Sequence, residues 1–249
     1  MTVLLRAELL KVRTTRLVFG LLAATVGLVV LGVVASILTA GDGGMPPLET
    51  GEGVRNVFGN AGVASVLSLV MGILLVTGEL RHGTITQTFL LTPRRPLVVG
   101  AKLAAMVVVG LLFGAVASLV TVAIALPWLA AKDVSLGAMS GDVATVLLAA
   151  LLSCALYGLI GVGVGALIRN QVAAVVIALV WEFVLQGIGV ALLPAGGKWL
   201  PQGPARALSQ ETLTDGSLLP AWAGGLVLVG YAIVFAALGA RLLVRRDVT

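Results

Sequence analysis

The chain has 249 residues, of which 59% are apolar and only 11% are charged, and its formal net charge is +5. About a quarter of the residues of a soluble domain are charged, so this composition excludes an ordinary soluble protein. The charges stand between long apolar runs, as expected for a chain surrounded by hydrocarbon, where a buried charge is costly.

Six apolar runs are long enough to cross a bilayer as helices. Each has at least 22 residues, and about 20 helical residues cross a hydrocarbon core of ~30 Å. The runs are continuous, whereas a β-barrel would show alternating segments of about ten residues. We therefore predict an all-α integral membrane protein, a single transmembrane domain over residues 1–249. The six predicted spans cover residues 17–40, 57–78, 97–126, 143–168, 172–193 and 222–244.

Residues 1–16 precede the first span and have the pattern of an amphipathic helix. Leu5, Leu9 and Val12 share one helical face, and the arginines lie elsewhere. Such a helix can lie among the headgroups with its basic side chains toward anionic lipid. The alternative is a plain basic anchor. The first span is longer than the 7–15 apolar residues of a signal peptide, and we interpret it as a retained helix.

The segment after the second span predicts a short helix over residues 84–92. Gly83 breaks the continuation of the second span, Thr84 can cap a new helix, and Pro93 stops it. A short helix projecting from a membrane domain suits docking to a soluble partner. The alternative is an ordinary polar loop.

The fourth span is rich in small residues. Gly161 and Gly165 form a small-xxx-small pair that lets helix backbones approach closely, either within the bundle or across a dimer. Cys154 is the one cysteine of the sequence, so no intrachain disulfide can form, and it is expected to be a packing residue.

Glu182 lies about halfway along the fifth predicted span. A charge at this depth costs from about 2.5 kcal/mol upward, so the carboxyl must be protonated, paired or facing water. Gln186 follows one helical turn later on the same face. Two interpretations stay open: a path-lining contact for a polar or cationic substrate, or a neutral acid bonded to a neighbouring helix.

The loops indicate the orientation. Residues 194–220 are too polar to span and form a predicted external loop that could hold short helices. Twelve lysines and arginines fall on one side of the membrane and four on the other, which places both termini in the cytoplasm. The positive charge thus reflects topology and does not indicate nucleic-acid binding. The composition is typical of a bacterial protein, which predicts a cytoplasmic-membrane location.

Nothing in the sequence predicts a catalytic, cofactor-binding or metal site in this chain. It has one histidine, His82, and no glycine-rich nucleotide loop. If ATP drives its work, another polypeptide must hydrolyse that ATP.

The sequence resembles a known family. The pattern Glu79-x-Arg81-x-Gly83-Thr84 after the second span, then 92–95 (Thr-Pro-Arg-Arg) and Lys102, is similar to that of the ABC-2 permeases, the membrane subunits of ABC exporters. Residues 8–16 are similar to the N-terminal interfacial helix of that family. The six predicted spans, the long last external loop and the basic C-terminus match as well.

The resemblance implies two six-span permeases, identical or different, paired with two separate ATP-binding subunits that hold ATP and Mg²⁺. It also implies that helix 84–92 is a coupling helix seated in the ATP-binding subunit. The ATPase-coupling residues would be Glu79, Arg81, Gly83, Thr84, Gln87 and Thr88. The second and fifth spans would line the substrate path through Ser65, Ser68, Met71, Glu182, Phe183 and Gln186.

The expected function is therefore that of a non-enzymatic permease subunit of an ABC exporter with an unidentified substrate. Two alternatives remain: an ion-coupled secondary transporter with Glu182 as proton carrier, and a membrane anchor or sensor without transport.

Overall fold

The computed structural model describes residues 2–43, 45–84, 94–134, 140–186, 188, 194–209 and 218–245. These residues are helical apart from short turns and connections, which confirms the all-α fold class. In chain order the helices are α1 (Thr2–Thr14), α2 (Arg16–Leu38), α3 (Gly51–Gly59), α4 (Ala64–Arg81), α5 (Arg95–Ala131), α6 (Ser140–Ile168), α7 (Gln171–Val180), α8 (Pro194–Gly197), α9 (Gln202–Leu208) and α10 (Ala221–Arg245).

Five helical segments among the described residues are long and apolar enough to cross a membrane. They are α2, the segment Gly51–Arg81 that contains both α3 and α4, and the three helices α5, α6 and α10. The fifth predicted span begins with the shorter apolar helix Gln171–Leu185, and residues 187 and 189–193 lie outside the described part of the chain. The count of six spans therefore stays a prediction.

The second span begins earlier than the sequence predicts. Helix α3 starts at Gly51, where the Thr50 hydroxyl accepts a hydrogen bond from the Gly53 N–H at 3.0 Å and so caps the helix. A 3₁₀ turn, Asn60–Val63, joins α3 to α4. The predicted start of this span at residue 57 was therefore six residues too late, because Thr50 caps a helix within a glycine-rich stretch.

The third span also differs at its end. Helix α5 continues through Pro127 to Ala131, beyond the predicted limit at residue 126. A proline inside a helix costs about 3 kcal/mol. The added turn buries Leu129 completely, and this burial favours the longer helix.

Helix α6 lies at the centre of the bundle, packed against α4, α5 and α10. A Cβ atom on Gly161 would collide with the Leu69 carbonyl of α4, and one on Gly165 would lie 2.9 Å from the Ile73 carbonyl oxygen. Gly163, on another face, lies against Phe235 of α10. The glycines of the fourth span therefore serve packing within this chain.

Polar contacts distinguish the two ends of the bundle. At one end, which we call the basic end, the Arg95 guanidinium donates to the Val244 carbonyl at 3.1 Å and joins α5 to α10. At the opposite end, Arg55 pairs with Asp142 at 2.9 Å. The basic end is the side that the sequence predicts to be cytoplasmic.

Short helices also occur in the predicted external loop. Helices α8 and α9 lie within residues 194–209, as the composition of this segment suggested. The Tyr231 hydroxyl donates to the Trp199 carbonyl at 3.1 Å, so the segment is fastened to α10 at the opposite end of the bundle.

Candidate functional site

Helix α1 presents its apolar face to the bundle, but a charged residue lies on that face. Val12 is buried, Leu5 and Leu9 are half-buried, and the arginines of the helix are exposed. Glu8 falls between these apolar residues in helical register and is only 3% exposed. A carboxylate at such a position needs cationic partners.

Four charged side chains meet there in a closed ring, which we call the charge ring: Glu8, Lys11, Glu79 and Lys102. The Lys102 ammonium lies 2.6 Å from Glu8 Oε2 and 2.9 Å from Glu79 Oε1. The Lys11 ammonium lies 2.7 Å from Glu8 Oε1 and 3.0 Å from Glu79 Oε1. Two carboxylates and two ammonium groups alternate, so the ring is neutral and each charge has two opposite neighbours.

The pKa values of the α1 members show that the ring holds charged groups. Burial alone would raise the pKa of Glu8, but the adjacent Lys102 and Lys11 reverse this effect and lower that pKa below 4.5. Burial alone would lower the pKa of Lys11, but Glu8 and Glu79 raise it above 10.5. At neutral pH both residues are ionised and paired.

The charge ring joins three elements at the basic end: the N-terminal helix α1, the end of α4 and the beginning of α5. Its connection to the predicted coupling segment is direct. Helix α4 ends at Arg81, which is exposed, and Gly83 adopts the left-handed backbone with φ +67° that turns the chain away. Helix α4 thus ends two residues after Glu79, and the turn at Gly83 follows two residues later.

The predicted coupling helix is described only at its first residue. Thr84 is described, whereas Gln87, Thr88 and the rest of residues 85–92 lie outside the described part of the chain. A cavity of about 510 Å³ opens beside this point. Its lining includes Lys11, Met71, Glu79, His82, Thr84 and Gln171.

A second polar site lies toward the opposite end, around Glu182. A cavity of about 260 Å³ lies between α3, the 3₁₀ turn, α4, α6, α9 and the turn Trp181–Leu185 that follows α7. The Glu182 side chain is only 5% exposed. It accepts a hydrogen bond from the Tyr157 hydroxyl at 3.4 Å and another from the Gln186 amide.

Gln186 links this carboxylate to residues 194–209, which belong to the predicted external loop. Its side-chain carbonyl accepts from the Gln202 backbone N–H at 2.8 Å, and Gln186 itself is fully buried. The helix is irregular here, because Trp181–Leu185 form a π-helical turn after α7. Single π turns in α-helices often occur at functional sites.

The structure brings together only part of the predicted substrate path. Ser65, Glu182 and Phe183 line the polar cavity. The Gln186 amide donates a hydrogen bond to the Glu182 carboxylate. The Ser68 hydroxyl is fully buried and donates to the Cys154 carbonyl at 2.6 Å, so it joins α4 to α6. Met71 lines the cavity at the basic end instead.

Several residues of both sites were not predicted as site residues. Glu8, Lys11 and Lys102 complete the charge ring, and Tyr157 and Arg206 line the cavity around Glu182. One signal was present for the ring: Lys102 stands inside an apolar run, where a buried cation requires an acidic partner. Which acids supply it depends on helix packing.

Within the described residues, no group of three or more histidine, cysteine, aspartate or glutamate side chains could hold a metal ion. The polar groups instead form ion pairs and hydrogen bonds inside a bundle of apolar helices. This arrangement defines a multi-pass integral membrane protein.

Residues 4–185 match the family described as ABC-2 family transporter protein. The match covers more than half of the chain, and the protein therefore belongs to this family and is a permease of ABC-type transport. No curated protein shows a significant match. Family membership does not favour the ion-coupled secondary transporter.

Proposed function

We propose that the chain is the transmembrane subunit of an ABC exporter that moves its substrate out of the cytoplasm. A separate subunit binds ATP and Mg²⁺ and hydrolyses the ATP, and a second permease copy, identical or different, completes the membrane part. The chain itself has no catalytic role. Both termini face the cytoplasm of a bacterial cell, and α1 lies among the headgroups of the inner leaflet.

The charge ring is the observation that carries this proposal. Helix α4 ends two residues after Glu79, and α5 begins seven residues before Lys102. The Glu79 carboxylate and the Lys102 ammonium lie 2.9 Å apart. This ion pair, which we call the clamp, therefore connects the two helices that flank the predicted coupling segment. A displacement of that segment moves α4 and α5 together, since the clamp prevents the two helices from separating.

Further contacts at the basic end connect α4 and α5 to α1 and α10. Lys11 and Glu8 include α1 in the same ring. Arg95, at the start of α5, holds the last turn of α10 through the Val244 carbonyl. Motion that an ATP-binding subunit imposes at the coupling segment would thus reach four helices of the permease as one unit.

In this proposal the residues beside the clamp have distinct roles. Glu79 braces the base of the segment and Gly83 supplies the turn. Arg81, Thr84, Gln87 and Thr88 contact the ATP-binding subunit. The substrate path follows α4 and the π-helical region after α7, with Ser65, Glu182 and Phe183 at the polar cavity.

A pull-down tests the proposal. The tagged chain is purified from membranes of its native host as wild type, Gln87→Pro and Gln87→Ala. Proline breaks a helix whereas alanine is the best helix former, so the two variants separate loss of the helix from loss of the side chain. Retained chains are labelled with a photoreactive ATP analogue and identified by mass spectrometry.

We expect wild type and Gln87→Ala to retain an ATP-binding subunit together with ATPase activity, and Gln87→Pro to lose both. If wild type retains no ATP-binding subunit, the exporter proposal fails. If all three retain it equally, the exporter proposal stands, but the coupling role of residues 84–92 is refuted.

A further inference from the structure

Glu182 and Tyr157 lie between two cavities of opposite character. On one side is the polar cavity of about 260 Å³. On the other is an apolar cavity of about 450 Å³ between α6, α7 and α10. Both residues line both cavities. The polar cavity alone is smaller than the ~300–1,000 Å³ of a typical ligand site, whereas the apolar cavity falls within that range.

The apolar cavity has the length and lining for an alkyl chain. Along α6 its lining extends from Tyr157 to Ile168. At 1.5 Å per residue this stretch is about 16 Å long, roughly half of the ~30 Å hydrocarbon core. Between these ends the wall is aliphatic and aromatic, with Ile160, Val164 and Ile177 among its residues.

The shared carboxylate has unused capacity to accept hydrogen bonds. The two described donors to Glu182, the Tyr157 hydroxyl and the Gln186 amide, are both neutral groups. A carboxylate offers about four acceptor positions, so two of them have no donor among the described residues. Arg206 lines the polar cavity as well and interacts with Glu182 electrostatically.

The wall of the polar cavity also contains a hydroxyl that no described residue satisfies. The Ser153 side chain is 3% exposed, and its hydroxyl has no hydrogen-bond partner among the described residues. Ser65 lies in the same wall. A buried hydroxyl without a partner destabilises the protein, and a bound donor would remove this cost. An alkylammonium group has three N–H donors and no acceptor, and so it complements one carboxylate and two hydroxyls.

We propose that the two cavities together form a binding site for a single-chain amphiphilic amine. Its ammonium group binds between Glu182 and Ser153, and its alkyl chain occupies the apolar cavity toward the basic end. The head therefore points to the opposite end of the bundle. As a substrate site this rests on the proposed function, but the binding itself requires only this chain.

Photolabelling of the purified full chain in phosphatidylcholine nanodiscs tests the site. The probe is dodecylamine with a diazirine at the end of its alkyl chain, and mass spectrometry locates the labelled residues. We expect labelling at Val164, Ile177 and Phe235, which line the apolar cavity. Unlabelled dodecylamine should compete, whereas dodecanol lacks the charge and butylamine lacks the chain, so both should compete at least about tenfold more weakly.

Two pairs of variants examine the two halves of the site. Glu182→Gln should weaken labelling about tenfold or more, and Asp142→Asn, an acid on α6 outside both cavities, should leave it unchanged. Ala178→Phe fills the apolar cavity, and Val176→Phe adds the same ring to a side chain that is 52% exposed. Only Ala178→Phe should abolish labelling in the cavity.

Three outcomes overturn the proposal: label spread over lipid-exposed residues without competition, equal competition by dodecanol, or unchanged labelling in Glu182→Gln. If Glu182→Gln does not elute as a folded species on gel filtration, the competitor series and the Ala178→Phe pair decide. Because no ATP-binding subunit is present, failure here leaves the pull-down result standing, and failure of the pull-down leaves this binding measurement valid.

Discussion

The ammonium of Lys102 lies 2.6 Å from Glu8 Oε2, although the two residues are 94 positions apart and both side chains are almost completely buried. Glu8 belongs to the N-terminal helix α1, and Lys102 belongs to the long apolar helix α5. The pair therefore fixes the position of α1 against the bundle. It also makes the attachment of α1 depend on charge as well as on the apolar face of the helix.

Removing the cation should destabilise the protein strongly. Lys102→Met leaves Glu8 and Glu79 with only Lys11 as a neutralising partner. Breaking a buried ion pair from one side costs about 3–5 kcal/mol, and we expect a loss of this order in thermal unfolding of the detergent-solubilised chain. Lys132→Met, at an exposed lysine just after α5, is the matched control and should change stability by about 0.5 kcal/mol or less.

A double-mutant cycle separates the pair from the individual residues. Combining Glu8→Gln with Lys102→Met should cost less than the sum of the two single changes, by about 0.5–3 kcal/mol. Additive effects would show that the 2.6 Å contact has no energetic coupling.

The charge ring predicts how stability depends on pH. The pKa of Glu8 is lowered from 4.5, so its contribution is present above pH 4.5 and is lost as the pH falls through its folded-state pKa. The pKa of Lys11 is raised from 10.5, so its contribution is present below pH 10.5 and is lost as the pH rises further. Between these limits the contributions of Glu8 and Lys11 should not change with pH.

We therefore expect the melting temperatures of wild type and Glu8→Gln to differ by a constant amount from about pH 5 to pH 10 and to converge below that range. Asp142→Asn removes a carboxylate that is 46% exposed and pairs with Arg55. Its effect should be small throughout, since exposed pairs contribute at most about 1 kcal/mol. A Glu8→Gln difference that persists at acid pH would contradict the lowered pKa.

The close approach of α6 to α4 should not tolerate a single added methyl group. In Gly161→Ala the new Cβ would collide with the Leu69 carbonyl, and overpacking of this kind costs about 1–3 kcal/mol. Gly230→Ala is the matched control, because Gly230 lies within α10 and a Cβ atom there would meet no described atom within 4 Å beyond the adjacent backbone of its own helix. It should be neutral or slightly stabilising, since alanine favours helix. Thermal unfolding of both variants measures the difference.

The hydrogen bond between Gln186 and Gln202 should hold residues 194–209 in place. Gln186→Leu leaves the Gln202 N–H without its acceptor and removes one donor from Glu182. We expect a loss of about 1–3 kcal/mol and faster protease cleavage near residues 198–202. Gln171→Leu, at the first residue of α7, makes the same chemical change at the basic end and should leave cleavage in that segment unaltered. Unchanged cleavage in Gln186→Leu would show that the segment is held by other contacts.

The sequence by itself determined the class of protein and the approximate position of its helices. A run of about 20 consecutive apolar residues is typical of a membrane-spanning helix. In hydrocarbon the backbone N–H and C=O groups of such a run must form hydrogen bonds within the run itself, which a helix achieves. Gly83 marked the end of the second span and Glu182 stood out as an acid at mid-membrane, because both signals are local in the chain.

Only the tertiary structure decided what those residues contact. In the sequence, Glu8 is one of several charges on a predicted interfacial helix, and Tyr157 is one residue of an apolar span. Helix packing places Glu8 next to Lys102 and Tyr157 next to Glu182. The π-helical turn and the two cavities that share Glu182 likewise depend on how α4, α6, α7 and α9 meet. The partner of a buried charge is the opposite charge that folding brings within contact distance. Positions in the sequence alone do not determine that distance.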